Sequence, residues 1–302
     1  RRGCLFAPRC TQAQTACRSG EIGLLNKSSH LVRCRRGGIA PLLELRQVGK
    51  RYRKTVALHP QDLTLRCGEV FSLVGETGSG KSTLAMIAAG AMRPDGGRRT
   101  FENRDMNDWI KKDRLAFARQ VGIVDQHPDL AVSHRLNVFD IVAEPLRIQQ
   151  PSCPPQELDT RVKRSLAEVH LPTRPEFLSR YPHQLNQGAL QRLCIARALI
   201  SEPKLLVADE PTSALDPSVQ AKVMKLLLDL QIEKGLTLLL VTHDLGFVSS
   251  AVTGVLCVNR VVRRHPTTEM GEITGEMLLC MYGPDRKIVR HDQSCQEDAV
   301  CE

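Results

Sequence analysis

A chain of 302 residues with 42% apolar side chains has material for one large α/β domain with appendages and a full core. Its formal net charge is +9, but eight Arg or Lys against the single Glu21 place +7 within residues 1–40 and leave +2 for the other 262. With that nearly neutral body and eleven scattered aromatics (seven Phe, three Tyr, one Trp), the chain lacks the basic face and stacking platform of a nucleic-acid binder. No apolar run reaches membrane-spanning length, and the start does not have the pattern of a signal peptide. The expectation is a soluble protein that meets a membrane only through a partner, and a chain opening on Arg1 is expected to be a fragment or processed piece.

Residues 1–40 form a Cys- and Arg-rich arm with little periodicity. Cys4, Cys10, Cys17 and Cys34 are spaced C-x₅-C-x₆-C-x₁₆-C, and four thiolates suit either an iron–sulfur cluster or tetrahedral Zn²⁺. A Gly37-Gly38 break precedes Leu42-Leu43-Glu44-Leu45, so the folded domain is expected over 41–270, with 271–302 as a tail. Residues 42–74 read as short strands with turns, the last being the buried-strand pattern Val70 to Val74. Directly after it runs Gly75-Glu76-Thr77-Gly78-Ser79-Gly80-Lys81-Ser82, followed by Thr83. This is the G-x-x-x-x-G-K-[ST] phosphate loop, in which backbone N–H groups cradle a polyphosphate. Gly75, Gly78 and Gly80 permit the inward turn. Lys81 suits the outer phosphates and the Ser82 hydroxyl suits Mg²⁺. Ser82 to Met92 reads as the helix whose N-terminus faces the anion, closed by a Pro94-Asp95-Gly96-Gly97 turn.

A helical insert is expected over about 135–185, interrupted by a loop at 151–155. Leu158, Val162, Leu166 and Val169 recur at helical spacing and form its core face. From Lys204 the order is strand (204–208), helix (217–232) and strand (236–242), the alternation of a parallel sheet covered by helices. The first of these strands runs into Asp209 and Glu210. Asp209 is assigned to Mg²⁺, directly or through water, and Glu210 to the general base that polarises the attacking water. Asp-Glu-Pro alone would equally well end a strand; the phosphate loop upstream favours the chemical reading. Cys67, Cys194, Cys257 and Cys280 lie singly in or beside apolar segments and read as small core residues.

The run Asp209-Glu210-Pro211-Thr212-Ser213-Ala214-Leu215-Asp216, followed by Val241-Thr242-His243-Asp244, resembles the nucleotide-binding subunit of an ABC transporter. Within that family the stretches Glu202 to Gln220 and Ile141 to Gln149 are similar to the oligopeptide, dipeptide and nickel importer ATPases, and the similarity runs from about Leu42 to Met270. The resemblance implies an α/β P-loop NTPase with a mainly parallel core sheet, an antiparallel β subdomain and a helical subdomain. It implies ATP hydrolysis with Mg²⁺, on the cytoplasmic side, peripheral to the inner face of the cell membrane. It assigns Tyr52 to stacking on adenine, Gln126 to sensing Mg²⁺ and γ-phosphate and linking them to the membrane partner, Asp216 to communication across a dimer, and His243 to the γ-phosphate and to positioning Glu210. The implied partners are a second ABC ATPase domain, transmembrane permease subunits and, indirectly, an extracytoplasmic solute-binding protein, with no nucleic acid. Rival readings are a non-transport ABC ATPase that remodels an enzyme complex and a weakly hydrolytic regulatory subunit.

Two departures from the family pattern stand out. Where it has Leu-Ser-Gly-Gly-Gln, this chain has Leu185-Asn186-Gln187-Gly188-Ala189. Asn186 and Gly188 keep a helix cap and a glycine for the partner's nucleotide, while Gln187 adds a side chain where close approach is needed. A heterodimer with one competent and one weakened site is therefore expected. Second, the arm resembles the carboxy-terminal tail of one subunit type of the same importers, which holds an iron–sulfur cluster, yet here it precedes an ATPase domain. The end of one ATPase joined to a complete second one is the expectation.

Overall fold

The structure, a computed structural model, describes residues 3–4, 7, 15–19, 21–27, 30–34, 40–53, 55–242, 254–258 and 262–266. The arm contributes a helical turn α1 (Thr15–Arg18) and an antiparallel pair of short strands, β1 (Leu25–Lys27) and β2 (His30–Val32).

The segment expected as short strands is instead two long ones, β3 (Pro41–Tyr52) and β4 (Thr55–Arg66), of 12 residues each. The interruptions of the pairing near Gln47 and Gly49 are bulges: Gln47 has φ 50° and the register slips between Leu45 and Val48 and again before Lys50. A bulge bends a long hairpin without ending it. With β6 (Gly96–Phe101) and β7 (Arg104–Asp105), these strands form an antiparallel sheet in the order β4-β3-β6-β7.

The second sheet has the order β12-β11-β5-β10-β9-β8, built from β5 (Val70–Val74), β8 (Val121–Val124), β9 (Leu205–Asp209), β10 (Thr237–Val241), β11 (Gly254–Val258) and β12 (Val262–Pro266). All its pairs are parallel except β11 with β12. Its central strands are buried on both faces, and alternate residues serve two different cores. Phe71, Leu73, Leu205, Val207, Leu239 and Val241 face a core shared with the antiparallel sheet and α2 (Lys81–Ala88). Val70, Val74, Leu206, Ala208, Leu238 and Leu240 face the helices of the other side.

Helix α2 ends at Ala88, four residues before the expected Met92. Gly90 turns the chain at φ 76°, and a Cβ there would lie 2.4 Å from the Phe117 ring. That ring packs edge-on against Phe101 and Trp109, at centroid separations of 5.8 and 5.7 Å. Trp109 and Phe117 are carried by helices α3 (Met106–Lys112) and α4 (Arg114–Ala118), and Phe101 by β6. The expected helical insert is present as α6 (Val138–Gln149), α7 (Pro155–Glu168) and α8 (Pro175–Leu178), preceded by the short α5 (Pro128–Ala131). Leu158, Val162, Leu166 and Val169 are buried, as their spacing predicts. A 3₁₀ turn (Pro182–Gln184) leads into α9 (Gln187–Leu199), and α10 (Pro217–Lys234) joins β9 to β10.

Candidate nucleotide site

Parallel pairing brings distant motifs to one end of the sheet. In the register Leu73 lies beside Val241 and Val241 beside Asp209. The phosphate loop after β5, Glu210 after β9 and the segment after β10 therefore emerge at the same carboxyl edge, where open α/β sheets bind ligands. Val124 lies beside Ala208, which adds Asp125 and Gln126 to that edge.

The phosphate loop adopts the left-handed conformations expected of its glycines: Gly75, Gly78 and Gly80 have φ 148°, 80° and 104°. At Gly80 the need is also steric, because a Cβ would sit 2.4 Å from the Ala57 carbonyl oxygen of β4. Thr77 and Gly78 at the tip are exposed, whereas Ser79 is buried with an unpartnered Oγ. Lys81 is 5% exposed and donates to the carbonyls of Gly75 and Glu76, each at 2.8 Å. Burial draws its ammonium below the ordinary value, against the opposing pull of the Glu210, Asp209 and Glu76 carboxylates. The loop is thus folded around its own cation, which sits where outer phosphates would meet it. Ser82 and Thr83 follow Lys81 in the first turn of α2, whose N-terminus points to the same place.

Asp209 is 7% exposed, and burial raises its pKa, while a hydrogen bond from the Ser82 side chain lowers it. Its Oδ1 is buried without a partner. A hard, orphaned carboxylate oxygen beside a serine hydroxyl fits a Mg²⁺ ion, which prefers oxygen ligands and retains water. A raised folded-state pKa means that this group favours folding below the ordinary carboxylate value of 3.8 and loses that contribution as pH rises through the folded value. Asp209→Asn is accordingly expected to raise the melting temperature in Mg²⁺-free buffer at pH 7, where burial of the charged carboxylate opposes folding. The gain should vanish at pH 3, where the acid is neutral; paired melts at the two pH values measure it.

Glu210 leaves the strand with φ 44°, its N–H donating to the Val241 carbonyl at 2.9 Å. This left-handed turn lifts the side chain off the sheet. Gln126 Nε2 donates to Glu210 Oε2 at 2.8 Å, joining residues 84 positions apart. Tyr52 ends β3, opposite Thr55, on the same hairpin as the Ala57 that touches Gly80. Its ring is 46% exposed, its hydroxyl donates to Met92 Sδ at 3.0 Å, and Lys50 Nζ lies 5.9 Å from the ring centroid.

Asn186, Gly188 and Asp216 belong to a second group. They line a cleft of about 780 Å³ together with Gln187 and Arg192. Asn186 caps α9, its Oδ1 accepting from the Ala189 N–H at 2.8 Å. Gly188 packs against α10, where a Cβ would lie 2.8 Å from Val219 Cγ1. His243 and Cys10 lie outside the described residues. Cys4 N–H donates to the Cys17 carbonyl at 2.8 Å, but among the described residues no three His, Cys, Asp or Glu side chains gather as a metal would require. Among those residues, too, no helix is long and apolar enough to cross a membrane. Two residues tied to the site escaped the sequence reading: Met92, whose sulfur accepts from the Tyr52 hydroxyl, and Arg99, which donates to the Met92 carbonyl.

The ABC transporter family model matches residues 58–213. The methionine import ATP-binding protein MetN of Xanthomonas axonopodis pv. citri (strain 306) is 37% identical over 235 residues, 76% of this chain and 68% of that protein. The oligopeptide transport ATP-binding protein OppF of Haemophilus influenzae is 38% identical over 192 residues, 64% of this chain and 57% of OppF. Among solved structures, the dimeric post-hydrolysis state of the ATP-binding cassette MJ0796 bound to ADP and Pi superposes with a TM-score of 0.67 at 29% identity, covering 75% of this chain and 99% of that one. With the phosphate loop, the Asp209–Glu210 pair and the two-sheet cassette all in place, the chain belongs to the ABC transporter family, as an ATP-binding, ATP-hydrolysing subunit of the importer kind that works with Mg²⁺.

Proposed function

We propose that this subunit powers uptake of a peptide or amino-acid-sized solute, hydrolysing ATP at the interface of a cassette dimer and driving permease subunits from the inner face of the membrane. The observation that carries the reading is the 2.8 Å hydrogen bond from Gln126 to Glu210, which ties the candidate base to the segment leading into the helical insert. Lys81 and the loop N–H groups bind and orient the β- and γ-phosphates of ATP. Ser82 and the unpartnered oxygen of Asp209 would hold Mg²⁺, which would supply charge neutralisation on the phosphates. Glu210 accepts the proton of the water that attacks the γ-phosphorus, acting as the general base. Tyr52 offers its exposed ring to adenine. The peptide and methionine names of the relatives support a solute of that size; oligopeptides, dipeptides and nickel are the candidates suggested by the sequence.

Gln187 at the first residue of α9 favours a heterodimer in which this chain's own ATP is turned over and its partner's is turned over slowly. It equally supports a second reading, a subunit whose main role is regulatory binding. ATPase assays of the purified chain alone, and with its natural partner and permease, separate these. Turnover by the homodimer at the partnered rate would sink the asymmetric dimer; failure to bind Mg-ATP would sink the whole reading. Iron and zinc analysis of anaerobically purified protein decides whether Cys4, Cys10, Cys17 and Cys34 carry an iron–sulfur cluster or Zn²⁺; a sample with neither removes the arm from the metal chemistry.

A further inference from the structure

Arg99 is charged, sits in the middle of β6 and is 2% exposed. Alternation along the strand turns it inward with Phe101, beside Leu45 of β3. A buried guanidinium is costly unless its donors are satisfied, and here no carboxylate answers it directly. Its hydrogen bonds go instead to the Ile87 carbonyl at 3.0 Å, the Met92 carbonyl at 2.7 Å and Asn107 Oδ1 at 2.6 Å, while Nε has no partner. The first acceptor lies in the last turn of the phosphate-loop helix, where the helix dipole favours a cation. The second belongs to the residue whose sulfur receives the Tyr52 hydroxyl at 3.0 Å. The same short segment is held from outside: Lys50 donates to the Arg93 carbonyl at 3.0 Å and to Asp95 Oδ1 at 2.7 Å, and the Arg51 N–H donates to Asp95 Oδ2 at 2.7 Å.

We infer that Arg99 is a positioning residue for nucleotide-base binding, fixing Met92 against the end of the phosphate-loop helix and, through the Met92 sulfur, setting Tyr52. The inference rests on the reading of Tyr52 as the adenine platform. An arginine used only to fill the core would need no tie to both elements. Here one planar fork fixes the spacing between the helix that presents the phosphate loop and the ring that meets the base. The predicted consequence is selective: loss of Arg99 weakens recognition of the base and leaves recognition of the phosphates alone.

The test uses the full chain, with ATP and inorganic tripolyphosphate as probes, each with Mg²⁺, titrated by calorimetry against wild type, Tyr52→Ala, Arg99→Met, Arg99→Lys and the Tyr52→Ala/Arg99→Met double variant. Arg99→Met should weaken ATP about three- to tenfold, the scale of a displaced aromatic contact, with tripolyphosphate unchanged within twofold. Arg99→Lys should recover part of the loss, and Arg99→Met should add nothing in the Tyr52→Ala background, because the two act in series. Equal weakening of both probes by Arg99→Met overturns the inference, leaving Arg99 a packing residue. If Tyr52→Ala weakens ATP while Arg99→Met does not, the inference fails and the platform stands. If Tyr52→Ala leaves ATP binding intact, the platform itself fails and takes the inference with it. Should Arg99→Met not fold, Met92→Leu removes the sulfur contact alone; weaker ATP binding at constant tripolyphosphate binding supports the inference, and unchanged binding of both overturns it.

Discussion

Glu210→Gln should slow ATP hydrolysis by the partnered protein about 10²–10⁴-fold, the range a positioned general base contributes, while leaving Mg-ATP binding within a few-fold of wild type. The substitution keeps the shape of the side chain and its oxygen for the Gln126 amide, now 2.8 Å away. It removes the negative charge that accepts the proton of the attacking water. It should not disturb the fold, because the backbone at this position is set by the 2.9 Å bond from its N–H to Val241 and by the Ser213 N–H and hydroxyl donating to its carbonyl at 3.2 and 3.1 Å. Phosphate release under saturating ATP and equilibrium binding of a fluorescent ATP analogue give the two halves of the result. A rate within tenfold of wild type would show that the proton goes elsewhere. Loss of binding instead of rate would make Glu210 a ligand of the nucleotide complex rather than its base.

The parts of this site legible in the sequence are those where local chemistry dictates local structure. A loop that must turn at three glycines after an apolar strand has few alternatives, and Gly75, Gly78 and Gly80 take the conformations their type permits. The strand–helix–strand order after Lys204 likewise fixes a parallel pairing, which is why Asp209 falls within a residue of its expected place. What was hidden depends on contacts between segments far apart in the chain. The long β3–β4 hairpin reads as short strands with turns, and the bulges at Gln47 and Gly49 show only when β4 and β6 are laid against β3. Helix α2 stops short because Gly90 must clear Phe117, 27 residues on. The Gln126–Glu210 bond and the Arg99 fork have no local signature at all. Gly80 is instructive in another way: its glycine is demanded by the Ala57 carbonyl as much as by a phosphate.

Restoring the family's residues at two of the altered positions where α9 begins, Asn186→Ser with Gln187→Gly, should raise turnover by a homodimer of this chain by about 30- to 1,000-fold, the equivalent of roughly 2–4 kcal/mol of transition-state stabilisation. The helix itself is already well formed. Asn186 caps it through Ala189 at 2.8 Å, and serine caps about as well, so the melting temperature should move by less than about 2–4 °C. Gly188 is already committed to packing, with Val219 leaving no room for a side chain. The difference from a competent segment therefore reduces to three features: a hydroxyl replaced at Asn186, an alanine for glutamine at the buried Ala189, and a side chain added at Gln187, which is exposed and lines the cleft that also holds Asp216. An anion approaching a helix N-terminus gains most from direct contact with its free N–H groups, and Gln187, the first residue of α9, adds an exposed side chain at that end. Gln187→Gly alone should recover the larger share, because a hydroxyl's hydrogen bond is worth less than access to several N–H groups. If the double variant hydrolyses ATP no faster than wild type, Asn186 and Gln187 are not what limits the homodimer. The asymmetry would then have to arise elsewhere, with Asp125, the acidic neighbour of Gln126 at the same sheet edge, as the next substitution to make.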